Sequence, residues 1–327
     1  MRVLVTGANG FVGRAVTRSL TKCGFSVRAL VHGPGHTIGS ENLEAFTTDI
    51  EKGLDLTNVL SGVDVVVHCA ARVHVMREAF KDSLEAFRAV NVKGTLDLAK
   101  QAAACGVRRF IFLSSIKVNG EHAPPEKPFR ACDRPQPKDA YAQSKAEAEE
   151  GLGLLSRETG LEVVIIRPPL VYGPGVKGNL AILLKWADSG MPLPLGAVQN
   201  RRSLIYMGNL VSFIGACIAA PGVPGKTFLI SDNQDLTTSE IIGLMRKDLH
   251  RPRRLIAVPQ ILLEWLLNIF GKSQWRDRLL GSLCVDTSDT HRFVNWTPPF
   301  TVEEGITAMI QEHRAVRLSN LKNHRPS

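Results

Sequence analysis

The 327-residue chain has no C-x-x-C pair, no His/Cys cluster and no internal repeat. Its six cysteines (Cys23, Cys69, Cys105, Cys132, Cys217 and Cys284) are scattered, which fits reduced packing thiols and argues against a bound metal. No apolar run reaches the roughly 18 to 20 residues of a membrane span. The first strand pattern begins at Arg2, leaving no room for a signal peptide, so no integral membrane segment and a cytoplasmic location are expected. Aromatic residues are scarce at 6%, and no nucleic-acid reading motif accompanies the net charge of +9, so no nucleic-acid partner is expected. The charge suits small anionic partners instead.

What is present is enough for a large core: 44% hydrophobic and 22% charged residues over this length suggest one larger and one smaller domain. Apolar, β-rich runs lie near 2–6, 27–32, 45–49, 63–70, 108–115 and 161–169, separated by helical patterns at 11–23, 83–105 and 138–159. Continuous apolar strands between helices predict a doubly wound α/β parallel sheet of Rossmann type, covered on both faces. After Pro168 the chain becomes rich in Pro and Gly, and a strand candidate at 226–231 is placed back in the first sheet. The expected division is 1–169, with 204–232 returning to it, as the dinucleotide-binding domain. A smaller interleaved α/β substrate domain takes 170–203 and 233–327. The apolar segment 259–271 is read as a core or lid helix rather than one lying on a membrane, and the basic tail beyond His313 as frayed.

Two constellations carry chemistry. Residues Thr6 to Gly13 place Gly7, Gly10 and Gly13 in a G-x-x-G-x-x-G spacing between strand and helix, where a tight turn lets a pyrophosphate approach the backbone. Tyr141 and Lys145 stand i and i+4, on one face of a helix. A lysine ammonium near the phenol is expected to draw its pKa towards neutrality, so that Tyr141 exchanges a proton with a substrate hydroxyl or ketone. Ser115 ends an apolar strand at the ligand-facing edge and completes the set, with Ser114 the neighbour most easily mistaken for it.

The chain resembles the extended short-chain dehydrogenase/reductase family, the NAD-dependent epimerase/dehydratase branch acting on nucleotide sugars. The resemblance runs through TGANGFVG, Asp49, HCAA at 68–71, NVKGT at 91–95, SSIKVNG, YAQSK, RPPLVYGPG and the closing VDTSDTHRFVNWTP. It implies that Phe11 and Val12 lie over the pyrophosphate, Asp49 and Ile50 hold the adenine, and Ala70, Ala71 and Pro168 line the cofactor channel. Asn91 would support the helix bearing Tyr141 and Lys145, which also reach the cofactor. On the substrate side it implies Asn179 and Arg202 as holders of a UDP diphosphate, with Arg278 a second candidate clamp, and a homodimer. Arg202 suits the role chemically because a guanidinium binds phosphate bidentately, whereas Arg201 is expected to point to solvent.

Three departures narrow the reaction. Dehydratases of the family carry an acidic pair where this chain has Ile116 and Lys117, which excludes dehydration. No acid ends the second strand to accept from the ribose 2′-hydroxyl; Arg28, His32 and Arg14 are nearby, which favours NADP(H) over NAD(H). Leu170 and Asn119 replace the family's usual Asn and Tyr, so the sugar pocket is unusual. Together these point to NADPH-dependent reduction of the C4 ketone of a UDP-4-keto-6-deoxy-N-acetylhexosamine, giving UDP-N-acetylquinovosamine or its C4 epimer, in O-antigen and lipopolysaccharide synthesis. A UDP-glucose/UDP-N-acetylglucosamine 4-epimerase with tightly held NAD, a relative acting on a lipid-linked diphosphate sugar, and a dinucleotide sensor without chemistry are the alternatives.

Overall fold

The computed structural model describes residues 1–33, 42–47, 55–73, 80–269 and 273–323. Asp49 and Ile50 lie outside the described residues. In chain order the elements are β1 (Arg2–Thr6), α1 (Phe11–Lys22), β2 (Ser26–Val31), β3 (Leu43–Thr47), α2 (Thr57–Leu60), β4 (Val65–His68) and α3 (Phe80–Phe87). A π-helical stretch (Arg88–Gly94) joins α3 to α4 (Thr95–Ala104), followed by β5 (Arg109–Leu113), a 3₁₀ turn (Ile116–Val118), α5 (Ala140–Thr159), β6 (Glu162–Arg167) and β7 (Leu170–Tyr172). The remainder comprises α6 (Gly178–Ser189), β8 (Leu204–Tyr206), α7 (Met207–Ala219), β9 (Thr227–Leu229), α8 (Thr238–Asp248), α9 (Gln260–Ile269), α10 (Ser273–Leu280), α11 (Ser288–Val294) and α12 (Val302–Asn323).

Seven parallel strands form one sheet in the order β3-β2-β1-β4-β5-β6-β9. The central strands are near-continuous Val, Ile, Leu and Phe because both faces are buried. One apolar cluster, with Val16 and Leu20 of α1 and Phe213 and Ile214 of α7, covers one face; another, with Leu98 of α4 and Leu152 of α5, covers the other. A third cluster gathers α6, α8, α9, α10 and α12 around Leu184, Ile242 and Ile306. β7 and β8 make a separate two-stranded parallel sheet.

Chain order reverses between β1 and β4, so the carboxyl ends of these strands, Thr6 and His68, stand opposite each other in register at the crevice where such sheets bind ligands. β5 continues that edge and delivers the loop that carries Ser114 and Ser115. The tail is more regular than its composition suggests: α12 runs on to Asn323, its buried Met309 and Ile310 anchoring it to the third cluster.

Candidate active site

Gly7 takes a positive φ of 61°, and a Cβ there would lie 2.8 Å from the backbone of Ala70, so only glycine lets β1 turn beside the end of β4. A Cβ on Gly13 would stand 2.1 Å from the Gly7 carbonyl, which is how closely α1 seats on the turn. Gly10 precedes α1 in extended conformation without a side-chain cap, so the helix start keeps backbone N–H groups for an anion. Phe11 and Val12, half-buried, follow at once. This cradle fits a dinucleotide pyrophosphate.

The channel wall is tied by hydrogen bonds. The Ala70 N–H donates to Thr6 Oγ1 (3.2 Å), whose hydroxyl also meets His68 Nδ1 (2.7 Å), while His68 Nε2 meets Thr95 (2.9 Å). His68 is buried, and desolvation followed by the Lys145 charge pushes it down to about 3, so it is neutral. Ala71 follows Ala70, partly exposed. Asn91, fully buried in the π-helical stretch, accepts from the Arg72 N–H (2.9 Å) and donates to the Arg72 carbonyl (3.1 Å) and to Ser144 Oγ (3.0 Å). It thus clamps the wall after β4 to α5. The Pro168 carbonyl accepts from Ile116 N–H (3.0 Å), holding the loop after β6 against the loop after β5.

Asp139 caps α5 by accepting from Ala142 N–H (2.7 Å), and Tyr141 and Lys145 share the face that this helix turns towards the sheet edge. Ser115 lies near enough to Tyr141 for its hydroxyl to favour the phenolate. Ser115 Oγ accepts from Lys117 N–H (3.3 Å). Ser114 plays a different part: it is buried and bonds Glu149, which pairs with Arg167 at 2.5 Å, and Arg167 in turn donates to Asn119 (2.8 Å). Asn119 therefore belongs to a buried network under the site. Glu149, Arg167, Ser144 and Thr95 had no sequence pattern to mark them, since each matters through a partner 18 to 53 residues away.

Lys145 is buried, its Nζ donating to the Leu113 carbonyl (2.9 Å) and sitting 4.4 Å from the centre of the Phe112 ring. Burial draws it down to about 8, against the raising influence of Cys69 and Glu149. Tyr141 is pushed up to about 12 by burial and then by Asp139, and the nearby Ser115 hydroxyl only partly offsets this. The expectation that Lys145 brings the phenol towards neutrality is not met by the protein groups alone: desolvation outweighs a charge whose Nζ is directed at a carbonyl.

Arg28 is a second correction. It lies mid-strand in β2, with its guanidinium on Glu44 (2.9 Å) and on the carbonyls of Asn58, Val59 and Ser61, so it is spent on the sheet and not on a ribose. His32 does follow the end of β2, and its carbonyl accepts from Asn9 (2.9 Å). Arg14 is exposed in the first turns of α1.

After β7, Asn179 lies half-exposed in the first turn of α6. Arg202 sits on a strip bridged to Leu236 and Leu283, and its Nη1 donates to the carbonyls of Asp277, Arg278 and Gly281 at 3.0–3.3 Å, at the end of α10. Those carbonyls fix the guanidinium in place and bring it beside the backbone of Arg278, whose side chain is exposed. Arg201 turns to the surface and pairs with Glu240 (3.2 Å).

The family model for the NAD dependent epimerase/dehydratase family matches residues 3–231, from β1 through β9. The chain belongs to this family. A UDP-glucose 4-epimerase of Vibrio cholerae is 43% identical over 312 residues, covering 94% of each chain. Among solved structures, the UDP-glucose 4-epimerase of Thermotoga maritima with UDP-glucose superposes with a TM-score of 0.78 at 21% identity, covering 97% of this chain and 100% of the other. The UDP-glucuronic acid 4-epimerase of Bacillus cereus, in complex with NAD, does so at 0.78 and 19%, covering 97% and 99%. These two likenesses confirm the extended Rossmann fold of the epimerase/dehydratase family.

Proposed function

We propose that this chain is a nucleotide-sugar oxidoreductase that uses NADPH to reduce the C4 ketone of a UDP-4-keto-6-deoxy-N-acetylhexosamine, serving surface-polysaccharide synthesis. The observation that carries the reading is the proximity of Tyr141 to Ser115 at the ligand edge of the sheet, with buried Lys145 one turn on along the same helix. When bound in the glycine cradle, the nicotinamide dinucleotide supplies the hydride that the ketone carbon receives. Ser115 donates to the carbonyl oxygen and orients it. Tyr141, protonated at neutral pH because its pKa lies near 12, gives its proton to that oxygen as negative charge develops there. Lys145, mostly ammonium at neutral pH and steadied by the Leu113 carbonyl, would hold the ribose of the dinucleotide, and solvent restores the Tyr141 proton. Arg202, with Asn179 and Arg278, holds the diphosphate.

Two further features support the choice within the family. Ile116 is packed with Leu229 and Leu283, and Lys117 is paired with Asp139 (2.5 Å), so no carboxylate stands at 116 or 117 to eliminate water. The residues that end β2 and follow it, Val31, His32 and Gly33, include no acid to hold a ribose 2′-hydroxyl, and His32 with exposed Arg14 suits a 2′-phosphate.

The 43% identity to the Vibrio cholerae UDP-glucose 4-epimerase favours a second reading, a UDP-sugar 4-epimerase with retained NAD. The deciding experiment follows nicotinamide absorbance with purified protein and UDP-4-keto-6-deoxy-N-acetylglucosamine, using NADPH and then NADH, with UDP-N-acetylglucosamine as a separate substrate. Rapid NADPH loss with the keto sugar is expected. Interconversion of UDP-hexoses without added cofactor, and no NADPH loss, would replace the reductase by the epimerase.

A further inference from the structure

α9 is apolar on two sides. Leu263 is buried and Leu267 packs against the third cluster, seating the helix on the protein. On another arc, Ile261, Leu262, Trp265 and Ile269 fall at i, i+1, i+4 and i+8 and share one stripe. That stripe faces outward: Ile261 is 82% and Trp265 59% exposed, and Leu262 and Ile269 are exposed with them. The sequence reading of a core or lid helix accounts for only the first of these sides.

The charge around the stripe is positive at both ends. Arg251, Arg253 and Arg254 precede α9 and are exposed, and Arg276 and Arg278 follow on α10, which packs against α9. Arg251 is partly neutralised by Asp188 and Arg276 by Asp277. The single acid on α9, Glu264, accepts from Gln260 (2.8 Å). An exposed Ile/Leu/Trp stripe between arginines is the composition that seats a helix at the boundary of acyl chains and anionic headgroups, with Trp at the headgroup level. A second copy fits less well, because pairing two such helices about a two-fold axis brings arginines against arginines in either direction. At ten residues, about 15 Å, α9 is too short to span a bilayer, and among the described residues no helix is long and apolar enough to do so.

We propose that α9 docks this protein on the surface of an anionic phospholipid bilayer, with the stripe of Ile261, Leu262, Trp265 and Ile269 in the headgroup boundary and Arg251, Arg253, Arg254 and Arg276 on lipid phosphates. The inference does not depend on the reaction proposed above, since none of the stripe residues belongs to the catalytic set.

The test is flotation of the full chain with vesicles of phosphatidylcholine containing phosphatidylglycerol, against phosphatidylcholine alone, at low and high salt. The chain is expected to float with the anionic vesicles only, and less at high salt. Ile261→Ser combined with Trp265→Ser is expected to lower the partition coefficient by about tenfold or more, and Arg253→Gln combined with Arg254→Gln to lower it and flatten the salt dependence. Dinucleotide binding by both variants is expected to match the parent, which shows that they are folded. The proposal fails if the parent chain does not float, or if the Ile261/Trp265 variant floats equally well. It also fails if light scattering shows a parent dimer that the same variant converts to monomer while vesicle binding is absent, for then the stripe is an interface between copies.

Discussion

Tyr141 and Lys145 show how burial overrides a spacing rule. One turn apart on α5, they were expected to trade charge directly, yet Lys145 Nζ is committed to the Leu113 carbonyl and the Phe112 ring. Burial then acts on each separately, raising the phenol to about 12 and lowering the amine to about 8. The consequence is a phenol that keeps its proton at neutral pH. Tyr141→Phe removes the proton and leaves the ring, its edge contact with Phe87 and the cradle intact. Turnover on the keto sugar is expected to fall by about 10²–10⁴-fold, while dinucleotide binding, followed by fluorescence titration, is nearly unchanged. Near-parental turnover would remove Tyr141 from the proton-transfer role. The identity of Ser115, Tyr141 and Lys145 as candidates was legible from their spacing. The roles of Ser114, Asn119 and Arg28 were not, because a serine beside a serine, or an arginine near a strand end, is told apart only by what it touches.

At the scale of elements, the meeting of β1, the glycine turn and α1 is decided by clearance. The Gly13 Cα lies so near the Gly7 carbonyl that an added methyl group would overlap backbone, which cannot move aside as a flexible side chain would. Gly13→Ala is expected to cost about 1–3 kcal/mol of stability, read from denaturant unfolding, and to weaken dinucleotide binding by tilting the start of α1. Parental stability and binding together would show that α1 has room to shift. The helix expected at 83–105 is present as α3, the π-helical stretch and α4, but its wide turn was hidden from periodicity. That turn holds Asn91 where it reaches both Arg72 and Ser144, a placement that a regular helical spacing does not foretell. The segment 259–271 was ambiguous for the opposite reason. Its apolar residues cover too wide an arc to say which side faces the protein, and packing against α10 and the third cluster chose Leu263 and Leu267.

For the whole molecule, one buried imidazole ties the sheet to its helical cover. His68 bonds Thr6 on β1 and Thr95 on α4 and lies against Phe112 on β5, so protonating it disturbs the centre of the fold. Its pKa falls from the ordinary 6.5 to about 3 on folding. Between those values the unfolded chain binds more protons than the folded one, so this group subtracts stability as pH falls from about 6.5 towards 3 and has no effect above. The thermal midpoint is expected to drop across that window, and His68→Gln to drop less steeply from a lower starting value. Parallel slopes for the two proteins would assign the acid sensitivity to other groups. A second buried centre joins the sheet to the third cluster: Asp232 accepts from Tyr172 (2.7 Å) and Asn209 (2.7 Å), and burial holds its carboxyl above the usual range.

By itself the sequence determined the parallel sheet and the glycine turn, and marked Ser115, Tyr141 and Lys145 as candidates. Each of these is a local pattern: apolar runs buried on both faces, a turn that excludes side chains, and two residues one helical turn apart. Only the tertiary structure decided the proton affinity of Tyr141, the diversion of Arg28 to Glu44 and backbone carbonyls, the carbonyl seat of Arg202 and the outward stripe on α9. Those depend on desolvation and on partners far along the chain, which no spacing of residues encodes.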